Sequence, residues 1–169
     1  SDLGYQTHAL VDNSLLEQRN GYAAGFESFF QVSGLRFAFS LPGFRLLQAW
    51  TRRKLRERFP VYYYGAERLT DRALEVLDRA QTSDRPALVY VHYFDPHYPY
   101  YPHPDIAPDP PETEPVSLPH ATLRRQGKLR ESQFAFLKHR YETEIRHVDR
   151  HVGRLLDGWR ADRKSTRLN

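Results

Sequence analysis

The chain has 169 residues, of which 40% are hydrophobic and 27% charged, a balance that predicts a globular domain rather than a disordered one. It contains no cysteine, which excludes a disulfide scaffold, a thiolate metal site and a cysteine nucleophile within these residues. No apolar run reaches the roughly 18 residues that a membrane-spanning helix needs, and the start at Ser1 with no methionine anywhere predicts an internal fragment of a longer protein.

The first third of the chain predicts a strand, an aromatic segment and a helix. Gly4 to Leu16 predicts a short strand that ends in the turn-forming cluster Asp12-Asn13-Ser14. Gly21 to Phe30 is aromatic with two glycines and predicts an irregular segment that packs through its rings. Residues 44–58 predict a helix with a basic end. We interpret that end as a solvated helix terminus rather than as a membrane or nucleic-acid patch.

The middle of the chain predicts a helix followed by a strand. Glu67 to Gln81 has apolar residues at three- and four-residue steps, which is typical of a helix with one buried face. Ala87 to Val91 is short, β-branched and aromatic, and predicts a buried central strand. The order strand, long connection, helix, strand predicts an α/β fold with a mostly parallel central sheet flanked by helices.

The loop after this strand is the segment whose sequence most directly indicates a functional site. It reads DPHYPYYPH from Asp95, and its prolines have no N–H with which to continue a strand ladder. In open α/β sheets, ligands bind at this carboxyl end of a strand. His97 is therefore the candidate catalytic residue. Asp95 either orients His97 or starts a turn, and Tyr98 and Tyr100 either line an aryl or sugar pocket or pack the loop.

Ser132 to Trp159 predicts a long helix with an apolar stripe from Phe134 to Leu156. Within it, Gly153 is expected to permit close packing against a neighbour. Glu144 and Asp149 differ by five positions and share no helix face well, so both are interpreted as surface or helix-supporting residues.

Two further patterns, a set of histidines and the C-terminal eight residues, do not predict a functional site. A zinc site made of His92, His97 and His103 is disfavoured, because spacings of five and six do not suit one helix face and no cysteine helps. The last eight residues, 162–169, resemble the translation of a sequencing-adaptor read-through, so we place the domain at residues 1–161. Without this tail the formal charge falls from +4 to +2, which is too little to predict a nucleic-acid partner.

Three separated stretches together resemble the sulfatase family of the alkaline-phosphatase-like superfamily. The first begins at Gly4 and reads GYQTHALVDNSLLEQRNGYAAGFESFF, similar to a strand and a Gly-Phe-type segment of the family. The second covers residues 67–103 and is similar to the helix and strand before the family's His-x-Pro loop. The third begins at Tyr141 and reads YETEIRHVDRHVGRLLDGW, similar to a family helix.

The resemblance implies a sulfuric ester hydrolase whose substrate is a small-molecule or glycan sulfate ester. Family members use a divalent metal, here expected to be calcium in preference to magnesium, and a formylglycine nucleophile made from Cys or Ser. The resemblance places that nucleophile upstream of Ser1 and the acidic metal ligands upstream of Ser1 and downstream of Trp159. The fragment alone is then expected to bind no metal and to be inactive. A periplasmic or extracytoplasmic location is suggested by the family only, and membrane association stays open.

Two candidate site residues of this chain match positions of the family's motifs. His97 matches the histidine of the His-x-Pro loop, with Pro99 as its proline, and is expected to contact the sulfate oxygens or the leaving group. Many arylsulfatases have Gly-Lys-Trp-His after the first strand, where this chain has Val11-Asp12-Asn13-Ser14. Asn13 fits a second branch of the family and is either a substrate-binding residue or a turn former. Two alternatives stay open: a phosphoethanolamine or phosphonate enzyme of the same superfamily, and a non-catalytic binding protein that keeps the fold.

Overall fold

The computed structural model describes residues 3–13, 15–32, 65–98, 100–116 and 129–166. The chain divides into two compact units, one made of Ser1–Phe94 with Arg154–Asn169 and the other of Asp95–Gly153. The helix predicted over residues 44–58, with its basic end, lies outside the described residues.

A three-stranded parallel sheet forms the centre of the first unit. Its strands are β1 (Gln6–Val11), β2 (Ser28–Gln31) and β3 (Ala87–His92), in the order β2-β1-β3. Both pairings of β1 are parallel, and the register places Leu10 beside Val91 on β3. The predicted α/β class with a mostly parallel sheet is therefore confirmed.

The position predicted for β3 is wrong for the part of the chain that the structure describes. There β1, not β3, is the middle strand. Leu88 and Tyr90 of β3 are 54% and 45% exposed, whereas Leu10 and Val11 of β1 are 1% exposed. An apolar run predicts burial on both faces, but alternate residues of a strand point to opposite faces, and the described residues leave that face of Leu88 and Tyr90 uncovered.

The aromatic segment after β1 contains both a turn and a strand. Gly21 and Gly25 have φ angles of 85° and 88°, a conformation that side chains with a Cβ rarely adopt. The interpretation of these glycines as turning points is confirmed, but the expectation of an irregular segment is wrong for β2. Ser28–Gln31 forms a strand because it pairs with β1. The composition of the segment alone does not predict this long-range pairing.

Helix α1 (Gly65–Gln81) covers one face of the sheet. Its buried residues Leu69 and Ala73 form a core with Leu10, which confirms the predicted apolar face. The Thr70 hydroxyl lies 2.7 Å from the Tyr93 hydroxyl just after β3. Burial raises the pKa of Tyr93.

Helix α2 (Glu131–Thr166) is longer than predicted and runs into segment 162–169. The domain boundary at residue 161 stays a prediction. In the first unit, a Cβ added to Gly158 would lie 2.3 Å from Cδ2 of Leu74, whereas a Cβ on Gly153 would meet nothing within 4 Å. The close approach predicted at Gly153 therefore occurs at Gly158. None of the helices in the described part of the chain combines the length and apolar composition needed to cross a bilayer.

In the second unit, α2 buries polar residues rather than the predicted apolar stripe. Phe134, Tyr141 and Ile145 are 61%, 41% and 42% exposed. The buried positions are instead Phe136, Thr143, Glu144, His147 and His151. The proline-rich segment facing this helix offers a backbone N–H, an imidazole ring and a carboxylate, and the helix face that meets these groups is the buried one. The surface role predicted for Glu144 is wrong, since its residue is 1% exposed.

Candidate functional site

The structure places the candidate site residues in both units. Asp95, His97, Tyr98 and Tyr100 belong to the second unit, and Asn13 belongs to the first. The loop therefore brings four of the five candidates into one segment.

His97 lies five residues beyond the end of β3 and is exposed. Its Nδ1 lies 2.6 Å from the carbonyl oxygen of Tyr98. A carbonyl oxygen can only accept, so Nδ1 carries the proton in this contact. Any proton transfer between this ring and a substrate would then go through Nε2. Such an imidazole can act as a general acid when protonated and as a base when neutral.

Asp95 is half-buried and precedes a cis Asp95–Pro96 peptide bond. Its proposed role in orienting His97 stays a prediction.

Two tyrosines of the loop pack in series with a tyrosine of α2. The rings of Tyr98 and Tyr100 meet edge to face with centroids 5.4 Å apart, and Tyr100 lies 5.4 Å from Tyr141. Burial raises the pKa of Tyr100, and nearby Tyr141 and Glu144 raise it further. These contacts support the packing interpretation of the tyrosines, and a pocket role stays a prediction.

The loop is joined to α2 at successive positions. The N–H of Tyr101 donates to Oε1 of Glu144 at 2.6 Å, and Nε2 of His103 lies 3.4 Å from Oε2 of the same carboxylate. Six residues further along the helix, Asp105 accepts a hydrogen bond from Arg150 at 2.6 Å. This hydrogen bond is the main cause that lowers the pKa of Asp105. Glu144 was missed by sequence reasoning because its partners are in a segment about 40 positions away.

Three histidines cluster beside this carboxylate. His103 stacks on His147 with ring centroids 4.0 Å apart, and His147 meets His151 edge to face at 4.6 Å. Both ring nitrogens of His147 are buried without a hydrogen-bond partner in the described residues. Burial and the neighbouring imidazoles lower the pKa of His147 to about 4, so this ring is neutral near pH 7.

Asn13 forms a turn in the first unit. Its Oδ1 accepts a hydrogen bond of 2.9 Å from the N–H of Leu15, and its carbonyl oxygen accepts from Nε2 of Gln31 at 3.1 Å. A side-chain acceptor bonded two residues ahead is an Asx turn. The turn-former interpretation is supported, and the substrate-binding role stays a prediction.

The expected divalent metal finds no site in the described ranges. There, no group of three or more His, Asp or Glu side chains is arranged to hold a metal ion. The rings of His103, His147 and His151 contact one another by stacking and edge contacts. No metal ligand is assigned in this part of the chain.

Comparison with known proteins supplies the family. The sulfatase family model matches residues 1–167. A 46-residue segment is 48% identical to a protein of Escherichia coli strain K12 described as the uncharacterized sulfatase YdeN, and the match covers 27% of this chain but 8% of that relative. No solved structure matches the chain. The family match over nearly the whole chain agrees with the parallel α/β sheet, and the chain belongs to the sulfatase family.

Proposed function

We propose that the chain forms part of a sulfuric ester hydrolase, with His97 contacting the sulfate oxygens or the leaving group. The observation that supports this proposal is the exposed imidazole on the loop that follows a parallel strand, in a chain whose family model is the sulfatase one. Ligands of α/β proteins bind at that end of the sheet. With Nδ1 bonded to a carbonyl oxygen, Nε2 would donate its proton to the oxygen of the departing alcohol.

The rest of the catalytic machinery is proposed to come from outside the 169 residues. The sequence has no Cys and no Ser in a Ser-x-Pro-x-Arg pattern, and the described residues offer no metal group. A formylglycine nucleophile and a calcium ion, in preference to magnesium, would therefore be held by flanking segments. The 169-residue chain alone would then show no turnover. The proposed substrate is a small-molecule or glycan sulfate ester, handled in the periplasm or another extracytoplasmic space.

The test begins with the gene on both sides of the region that encodes this chain. The longer protein that this extended gene encodes is assayed for hydrolysis of a chromogenic aryl sulfate. The unchanged protein is compared with the His97→Ala variant. General acid–base catalysis contributes roughly 100- to 10,000-fold to rates, so we expect kcat to fall by about 100-fold or more. His8→Ala, a histidine truncation on β1, is the control and should leave kcat within about twofold.

Other results would overturn the proposal in distinguishable ways. Flanks without a nucleophile and metal carboxylates would remove the enzyme assignment and leave the non-catalytic alternative. Turnover of a phosphodiester or phosphonate, with none of the sulfate ester, would leave the family and reject the substrate class. Metal-dependent turnover by the 169-residue chain alone, lost in His97→Ala, would contradict the proposed inactivity.

A further inference from the structure

The carboxylate of Glu144 is one of the most deeply buried charged groups in the described part of the chain. Its side chain is 2% exposed, and that of His103 beside it is 5% exposed. A buried carboxylate is costly unless hydrogen bonds and nearby positive groups compensate for the lost hydration. Here one oxygen accepts the N–H of Tyr101 and the other faces the His103 ring. Both partners belong to the loop that carries His97.

The loop runs along α2 in a regular register. Tyr100, Tyr101, His103 and Asp105 contact, in order, helix residues 141, 144, 147 and 150. Successive helix positions are three residues apart, so each lies beside the next on the helix surface. Glu144 is the member of this series that binds a backbone group of the loop, because the others contact through side chains. A backbone bond fixes the path of the chain itself.

Two contacts connect this series of loop residues to His97. Tyr98, whose carbonyl oxygen lies 2.6 Å from Nδ1 of His97, places its ring against Tyr100. Tyr100 is followed directly by Tyr101, whose N–H is held by Glu144. A loss of the Glu144 bond would therefore release the end of the segment that orients the His97 ring.

We propose that Glu144 is the positioning residue for His97, acting by holding the backbone of Tyr101 against α2. This inference rests on the proposed function, because it assigns to Glu144 an effect on the reaction that His97 performs. Small displacements of a reacting group cost on the order of 100-fold in rate. Glu144 is expected to influence kcat without touching substrate.

Two substitutions at one position separate the backbone bond from the charge. Glu144→Gln keeps a side-chain oxygen that accepts the Tyr101 N–H, and Glu144→Ala removes it. In the active protein that contains this chain, we expect Glu144→Ala to lower kcat for an aryl sulfate by on the order of 100-fold, with KM changed less than about threefold. Glu144→Gln should recover most of the loss. Asp149→Ala, which truncates an exposed carboxylate on the same helix, should leave kcat unchanged.

A double-mutant cycle shows whether Glu144 acts through His97. If it does, His97→Ala with Glu144→Ala is no slower than His97→Ala alone, because the positioned group is already absent. Additive losses would overturn the inference. So would an equal loss of kcat in Phe136→Leu, a buried substitution in the same unit, because the effect would then be one of general stability.

The hydrogen bond between Glu144 and the Tyr101 N–H can also be tested without an activity assay. Hydrogen–deuterium exchange at the Tyr101 amide should accelerate at least tenfold in Glu144→Ala and stay close to the parent rate in Glu144→Gln. An unchanged exchange rate at the Tyr101 amide in Glu144→Ala would show that Glu144 does not hold this backbone group, whatever the activity of the variant. If His97→Ala retains full activity, the proposed function of His97 fails, and this inference fails with it. If His97→Ala is inactive and Glu144→Ala is fully active, only this inference fails.

Discussion

His147 stacks on His103 with ring centroids 4.0 Å and planes 17° apart, inside a cluster that also contains His151, Asp105 and Arg150. Asp105 favours protonation of His147, but burial and the other three groups oppose it, so its pKa falls from 6.5 to about 4. The unfolded chain therefore binds a proton between these pH values that the folded chain does not. Protonation of His147 in the unfolded chain therefore lowers the free energy of unfolding as pH falls from 6.5 toward 4, and this effect is absent above pH 6.5.

The expected loss from His147 is about 2 kcal/mol between pH 7.5 and pH 5. His147→Phe keeps a planar ring without a titrating group, so it should flatten this part of the pH dependence. The free energy of unfolding, measured in urea at both pH values, checks the effect. Phe136→Leu removes buried carbon from the same unit and should lower stability equally at both values. A slope that is as steep in His147→Phe as in the parent would contradict the assignment.

Gly158 and Gly153 lie on one helix but have opposite surroundings. An added methyl group at Gly153 meets nothing within 4 Å, so Gly153→Ala should stabilise the protein by up to about 1 kcal/mol through helix propensity. At Gly158 the methyl group would lie 2.3 Å from Cδ2 of Leu74. Overpacking costs about 1–3 kcal/mol, so Gly158→Ala should lower stability despite the same gain in propensity.

A second substitution identifies Leu74 as the cause. In a Leu74→Ala background the contact is absent, and Gly158→Ala should then stabilise by about as much as Gly153→Ala does. Melting temperatures of the four combinations provide the measurement. If Gly158→Ala is equally harmful with and without the leucine side chain, the close approach is not what requires glycine there.

Asn13 offers a test between a turn and a substrate contact. Asn13→Asp keeps the oxygen that accepts the Leu15 N–H, and Asn13→Ala removes it. The alanine variant should therefore lose about 1 kcal/mol of stability and the aspartate variant much less. If Asn13 also lies at the sulfate, the added negative charge of Asn13→Asp should lower kcat/KM more than Asn13→Ala does, because like charges repel. Equal kcat/KM values in the two variants would leave Asn13 as a turn former.

Local patterns predicted those elements whose signals are local. The periodicity of α1 predicts a helix and the apolar run of β3 predicts a strand, and both elements form, because each pattern depends on neighbouring residues. β2 was missed because its formation depends on pairing with β1. The loop with His97 could be predicted from its prolines, which cannot donate an N–H to a strand ladder.

The buried face of α2 could not be predicted, for a different reason. Hydrophobic periodicity favours Phe134, Tyr141 and Ile145 as the inner face, yet these residues are exposed. Glu144 and His147 are buried instead, because the loop brings a backbone N–H and aromatic rings to them. Periodicity measures apolar character and carries no information on which polar groups will find partners.

Arg85 connects the starts of all three strands in the first unit. Its guanidinium donates to the carbonyl oxygens of Gly4 at 3.0 Å and Tyr5 at 2.7 Å, just before β1. It also pairs with Glu27, one residue before β2, at 2.5 Å. Arg85 itself lies two residues before β3. The pair lowers the pKa of Glu27, chiefly through the hydrogen bond from Arg85, so its contribution is present above the unfolded pKa and is lost as pH falls through the folded pKa.

Arg85→Ala should lower the melting temperature by roughly 3 °C near neutral pH, a modest effect because both side chains are over 40% exposed and water screens the pair. The Glu27-dependent part of this difference should disappear as the carboxylate is protonated. Arg79→Ala is a matched control, because Arg79 is an exposed arginine that pairs with Glu75 within one helix. It should change the melting temperature by less than Arg85→Ala does. Equal shifts in the two variants would mean that Arg85 acts as an ordinary surface charge and does not join the three strands.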